Sequence, residues 1–274
     1  MGPFALSVGC NYLNVWAPSL GRPEANAEPP KRLVRLETGP SPDDPTDEPF
    51  RRHDILCADV SDDGSIIAAG LVDGSLRFWE ANWPKWWADE QPRDYDRYTG
   101  ACGSSSSSSS SGSSSSSKDE VPLASIARAH EGRVVGIHAI PGTRGMDWVT
   151  VARNGQWRFW RRRIGSTFKL IKSGAVEGAV LSTGPCLNRS HETTPSLRQG
   201  SWSGGVWSLA LGTSRGKLYE LDAHGTVRCL VHPLESSEAI SAVIWVPAGT
   251  EADPCRSLIF AGTPSGSVNV YSKS

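Results

Sequence analysis

Four glycines, Gly74, Gly155, Gly216 and Gly266, each occupy the centre of the same construction. A strand-sized apolar segment leads into a polar turn, and a second such segment carries a large side chain five residues past the glycine: Trp79, Trp160, Leu221 and Tyr271. The fullest copy is Asp54 to Asn82, DILCADVSDDGSIIAAGLVDGSLRFWEAN, which divides into ILCADV, SIIAAGL and SLRFWEA at Asp62-Asp63-Gly64 and Asp73-Gly74. Asp-Gly and Asn-Gly tolerate the positive φ that a two-residue hairpin needs, so Asp73-Gly74 and Asn154-Gly155 predict tight type I′ turns. A fifth hairpin is expected around Asn11 within FALSVGCNYLNVWAPS, where the second strand ends in Trp16. A small antiparallel sheet cannot bury both faces alone, so a series of them must stack.

Such a unit resembles a WD40 repeat, a four-stranded propeller blade closing on Trp-Asp or a similar pair, here Trp79-Glu80. The expected fold is therefore all-β, a WD40-type β-propeller of about five blades with the first and last incomplete. The chain starts on the second strand of one blade and ends on the third of another, which predicts a piece of a longer propeller with an unpaired edge at each end. Arg32 to Thr38, RLVRLET, is the expected outer strand of the first blade, and TVRCLVHP and AISAVIWVPAG supply strands between the later copies. The predicted organisation is first blades over 1–82, an insertion over 83–120 and the remaining blades over 121–274. The insertion holds a serine tract from Ser104 to Ser117, broken only by Gly112, which has no apolar surface to offset its ordering entropy and is expected to be disordered. Trp83, Trp86 and Trp87 ahead of the tract are expected to cover the blade edge, the competing reading being an exposed docking patch.

Composition narrows the functional classes. With 28 basic and 29 acidic residues the net charge is −1, so bulk electrostatics call for neither nucleic acid nor an anionic membrane. No run of about 18 apolar residues exists, and the N-terminus lacks the pattern of a secretory signal. The six cysteines form no CxxC, and Cys57 and Cys229 sit in apolar strand patterns as small hydrophobes, consistent with a reducing cytoplasmic setting.

Chemical motifs are sparse. GTSRGK at Gly212 to Lys217 has the wrong spacing for a phosphate loop and reads as a hairpin turn. His130 and His138 lack carboxylate or cysteine partners at ligand spacing, so no metal or cofactor is expected. No nucleophile elbow is present, and the inner strands ILCADV, VVGIHAI and AISAVIWV offer only Asp59 and His138 for chemistry in a channel. The residues expected to build blades are Asp73, Trp79, His130, Asn154 and Trp160. A conventional WD blade joins such a histidine, the turn acid and the Trp indole through buried hydrogen bonds, and Asn154 is expected to accept in place of the acid. Arg158, Arg161, Arg162 and Arg163 form the local basic cluster, either a solvated loop end or a contact for an acidic partner such as a tubulin tail.

The order of FALSVGCNYLNVW, DILCADVSDDGSIIAAGLVDGSLRFW, ARAHEGRVVGIHAI and LALGTSRGKLYEL is similar to that in the echinoderm microtubule-associated protein-like family. The resemblance implies a non-catalytic scaffold for protein partners, with tubulin or microtubules among them and a cytoskeletal or ciliary location. The family's N-terminal coiled coil and the hydrophobic signature ahead of its first propeller do not appear in this chain. The alternative is a substrate-presenting or adaptor subunit of a ubiquitin ligase or another complex. Nucleic acid, membrane and small-molecule substrates are not expected partners.

Overall fold

The computed structural model of the protein describes residues 5–17, 30–38, 53–88, 122–164, 166–187, 207–231, 238–247 and 257–273. These form five antiparallel sheets in chain order. Blade one contains β1 (Ala5–Val8), β2 (Tyr12–Ala17) and β3 (Lys31–Glu37); blade two contains β4 (Ile55–Val60), β5 (Ile66–Leu71), β6 (Leu76–Glu80) and β7 (Ala124–Ile126). Blade three contains β8 (Val134–Ala139), β9 (Asp147–Ala152), β10 (Gln156–Arg162) and β11 (Phe168–Ala175). Blade four contains β12 (Val180–Leu187), β13 (Trp207–Thr213), β14 (Leu218–Asp222) and β15 (Val227–Val231), and blade five β16 (Ala242–Pro247), β17 (Ser257–Gly262) and β18 (Val268–Lys273). This is the all-β propeller architecture that the repeats predict, with the innermost strand absent from blade one and the outermost from blade five among the described residues.

The turns differ from the predicted type. Gly74, Gly155, Gly216 and Gly266 all have φ between +72° and +88°, but the preceding Asp73, Asn154, Arg215 and Ser265 do not have positive φ. In each, the glycine N–H donates to the carbonyl three residues back, as in Gly74 to Leu71 at 3.2 Å and Gly155 to Ala152 at 3.0 Å. This is a type I turn followed by a left-handed glycine, so Asp and Asn serve as side-chain acceptors and only glycine takes the unusual φ. Asp73 Oδ1 accordingly accepts from Ser75 N at 2.9 Å, and Asn154 Oδ1 from Gln156 N at 3.1 Å.

Stacking accounts for the core. Leu13, Val15 and Leu36 of blade one pack with Ile67, Ala69 and Trp79 of blade two. On its other face, blade two sets Ile66, Ala68 and Phe78 against Val134, Trp148 and Trp160. Blade three meets blade four through Val149, Val151, Phe159, Leu209 and Leu221, and blade four meets blade five through Ala210, Leu218, Ile259 and Ala261. β5, β9 and β13 are buried along their whole lengths because both faces meet a neighbour. The inner strands β4, β8, β12 and β16 run side by side. Their close approach relies on missing side chains: a Cβ on Gly136 would stand 2.5 Å from Thr183 Oγ1, and one on Gly184 would stand 2.8 Å from the Val243 carbonyl oxygen.

Within the expected insertion, residues 83–88 form a short helix, α1 (Trp83–Ala88), between β6 and β7. Trp83 and Trp86 are buried with blades one and two, and the Trp83 indole donates to the Gly64 carbonyl at 2.8 Å, so they cover the blade as one of the two readings has it. The Trp87 side chain and the serine tract lie outside the described residues. β11 and β12 carry no clear sequence signal. β11 is mostly exposed and lacks apolar alternation, while β12 contains Gly184 and Pro185, which count against a strand.

Candidate functional site

The inner strands bring together a polar relay that spans three blades. His138 on β8 stands with Nε2 2.8 Å from Thr183 Oγ1 on β12 and Nδ1 3.8 Å from Asp59 Oδ2 on β4. Asp59 has further work within the scaffold: Oδ2 accepts from Ala139 N at 3.0 Å and Oδ1 from Val60 N at 2.8 Å. Asp59 and His138 are the two inner-strand groups apparent in the sequence, and the third, Thr183, escapes it because β12 does. Acid, imidazole and hydroxyl thus occur in the order of a hydrolytic triad. The 3.8 Å gap is too long for the acid-imidazole hydrogen bond that orients such a base, and Asp59 is turned toward backbone donors. Beside the relay, Cys57 Sγ faces the Val134 carbonyl oxygen at 3.5 Å, and burial pushes its thiol up to about 12, far from a reactive thiolate.

The predicted blade residues divide into two sets. In blade three, Thr150 Oγ1 lies 2.7 Å from His130 Nε2 and accepts from the Trp160 indole at 2.8 Å. Asn154 does not join them. Its carbonyl is held by Gln156 N within an exposed turn, and His130 Nδ1 has no hydrogen-bond partner among the described residues. Burial, then the nearby Arg158 charge, lowers the His130 pKa to about 4, so the ring is neutral. In blade two, His53 Nδ1 stands 3.7 Å from Asp73 Oδ2, while the Trp79 indole N–H is buried and unpaired among the described residues. His53 is absent from the sequence expectation because it ends a segment, GPSPDDPTDEPFRRH, that reads as loop by composition; its position just before β4, like that of His130 before β8, was the available signal.

Two members of the basic cluster are engaged within the fold. Arg158 reaches across to the Ala129 carbonyl. Arg161 binds Asp147 through two bonds of 2.7 and 3.1 Å, and this hydrogen-bonded acid raises the guanidinium pKa further. Arg162 lies at the end of β10 and Arg163 just beyond it. No group of three or more His, Cys, Asp or Glu side chains suited to a metal occurs among the described residues, and no helix there is long and apolar enough to cross a membrane.

No family model and no curated protein matches the sequence. Among solved structures, the β-propeller domain of Myceliophteria thermophila Cps50 (Swd1) superposes with a TM-score of 0.54 at 12% identity, covering 99% of this chain and 67% of that one. At that identity the likeness establishes the fold: this chain has a β-propeller architecture corresponding to two thirds of that domain.

Proposed function

We propose that the protein is a non-catalytic WD40-type scaffold whose rim turns bind protein partners, with microtubules or tubulin the named candidates. The observation that carries this reading is the state of the inner-strand relay, where the groups best suited to chemistry are already committed to joining blades. Asp59 accepts two backbone N–H groups, and His138 and Thr183 satisfy one another. Turns held by rigid strands supply the binding surface. The cytoskeletal role rests on the sequence resemblance to the echinoderm microtubule-associated protein-like family, and Arg162 and Arg163 supply outward positive charge for an acidic tubulin tail.

Co-sedimentation of the full chain with microtubules tests this role. Pelleting should weaken as salt rises and should drop further in an Arg162→Gln, Arg163→Gln double variant. Absence of pelleting at low salt would remove tubulin from the reading, and affinity capture that returns ubiquitin-ligase subunits instead would replace it with the adaptor alternative.

A further inference from the structure

The basic run that ends β10 leads straight to a hydroxyl. Arg161, Arg162 and Arg163 stand five, four and three residues before Ser166, with only Ile164 and Gly165 between. A serine or threonine three residues after an arginine occurs at three places in the chain: Thr38 after Arg35, Ser166 after Arg163 and Ser201 after Arg198. Thr38 and Ser201 each have one arginine among their five preceding residues, and Ser166 has three. Arginine-directed protein kinases select acceptors by such a pattern, because carboxylates in their clefts hold guanidinium groups that lie ahead of the acceptor.

The fold separates these candidates further. Thr38 is buried, and its hydroxyl is shared between the Asn11 and His53 carbonyls at 2.9 and 3.0 Å. Ser201 lies outside the described residues. Ser166 is half-buried at the tip of the β10–β11 hairpin, flanked by the fully exposed Ile164 and the exposed Thr167. A kinase takes its substrate as an extended segment, so the tip has to open. Opening breaks the bond from Arg163 N to Thr167 O, at 2.7 Å. It also relieves strain, because Ser166 holds a φ of +69°, in the left-handed region that a residue with a Cβ occupies at a cost. Phe168 marks where the opening stops: its ring stacks on Phe78 of blade two with centroids 3.9 Å apart.

We propose that Ser166 is the acceptor site of an arginine-directed protein kinase. Arg163, with Arg162 behind it, is the guide; Arg161 is held by Asp147 at 2.7 Å and stays with the blade. In the transfer, Ser166 Oγ attacks the γ-phosphorus of ATP and the bond from that phosphorus to the β,γ-bridging oxygen breaks. ADP leaves, and the hydroxyl proton passes to the catalytic aspartate of the kinase. The new phosphate carries a charge of about −1.5 to −2 at neutral pH, enough to offset the positive charges of Arg162 and Arg163 nearby in the chain. The modification therefore switches off the attraction of this hairpin for acidic chains. That consequence rests on the partner reading above, whereas the acceptor assignment does not.

Treatment of the full chain with ATP and the catalytic domain of calcium/calmodulin-dependent protein kinase II, followed by peptide mass spectrometry, tests the site. Ser166 should carry most of the phosphate. An Arg163→Gln variant, with an unchanged melting temperature, should take up phosphate at least about tenfold more slowly, while Arg198→Gln should match the wild-type chain. Phosphate mainly at another residue, uptake indifferent to Arg163, or no uptake would overturn the assignment. The phosphorylated and unmodified chains are then compared by co-sedimentation with microtubules. Pelleting lost on phosphorylation supports the charge switch, and equal pelleting of the two forms overturns it. An unmodified chain that does not pellet removes the tubulin reading and the switch that rests on it, and leaves the mapped acceptor site standing.

Discussion

In blade two a histidine faces the turn acid, His53 to Asp73 at 3.7 Å, and the Trp79 indole is buried without a partner among the described residues. In blade three the indole of Trp160 and the ring of His130 share Thr150, and the turn side chain, Asn154, faces away. Register explains the exchange: Thr150 lies opposite Arg158 as Ala69 lies opposite Arg77, so blade two has a methyl group where blade three has the bridging hydroxyl. Each blade holds a different part of one hydrogen-bond pattern on a matching backbone. The polar network therefore differs between these two blades, while the packed indole and the left-handed glycine are common to both.

The largest expected loss follows from removing what the two blades share. Trp79→Ala and Trp160→Ala should each destabilise by about 3–5 kcal/mol through the cavity left between blades, measured by denaturant unfolding. An unchanged midpoint for Trp79→Ala would break the packing account.

Acid should act mainly on blade three. His130 titrates at about 4 when folded against an ordinary value of 6.5, so the unfolded chain binds the proton more readily. Stability should fall as pH drops from 6.5 and level off below about 4, the His130 share being about 3 kcal/mol. A His130→Gln variant, with its own lower stability at neutral pH, should show a flatter profile; the same slope would assign the loss to other groups.

Glycine substitutions separate interior blades from the end of the series. A Cβ on Gly74, at φ +84°, would stand 2.2 Å from the His130 carbonyl oxygen, whereas Gly266, at φ +88°, has nothing within 4 Å. Gly266→Ala should cost about 1–2 kcal/mol of backbone strain, and Gly74→Ala clearly more, because blade three must also shift. Thermal melts of the pair check the ordering. The smallest effect should be a gain: Ala69→Ser places a hydroxyl where Thr150 stands in blade three and should stabilise by about 1 kcal/mol if Trp79 uses it.

The sequence makes the five hairpins legible because turn glycines and apolar alternation are local signals. It hides β11, whose Lys169 and Lys172 mark an exposed edge, and β12, whose Gly184 permits close approach to blade five; both owe their strand form to neighbours. The same loss conceals Thr183 and with it the relay through His138. Asn154 misleads for another reason: the turn offers it a nearer donor, Gln156 N, than the histidine. Arg158 and Arg161 read as a surface cluster because the sequence cannot show the Ala129 carbonyl and the Asp147 carboxylate that occupy them.

The division of the network is tested most directly by replacing each indole with a ring that lacks its N–H. Trp79→Phe and Trp160→Phe, compared by equilibrium unfolding in the wild-type and Thr150→Ala backgrounds, isolate the hydrogen bond. Trp160→Phe should cost about 1–2 kcal/mol more than Trp79→Phe, and the excess should vanish once Thr150 is alanine. Equal costs in both blades, or an excess that survives the loss of Thr150, would contradict the account.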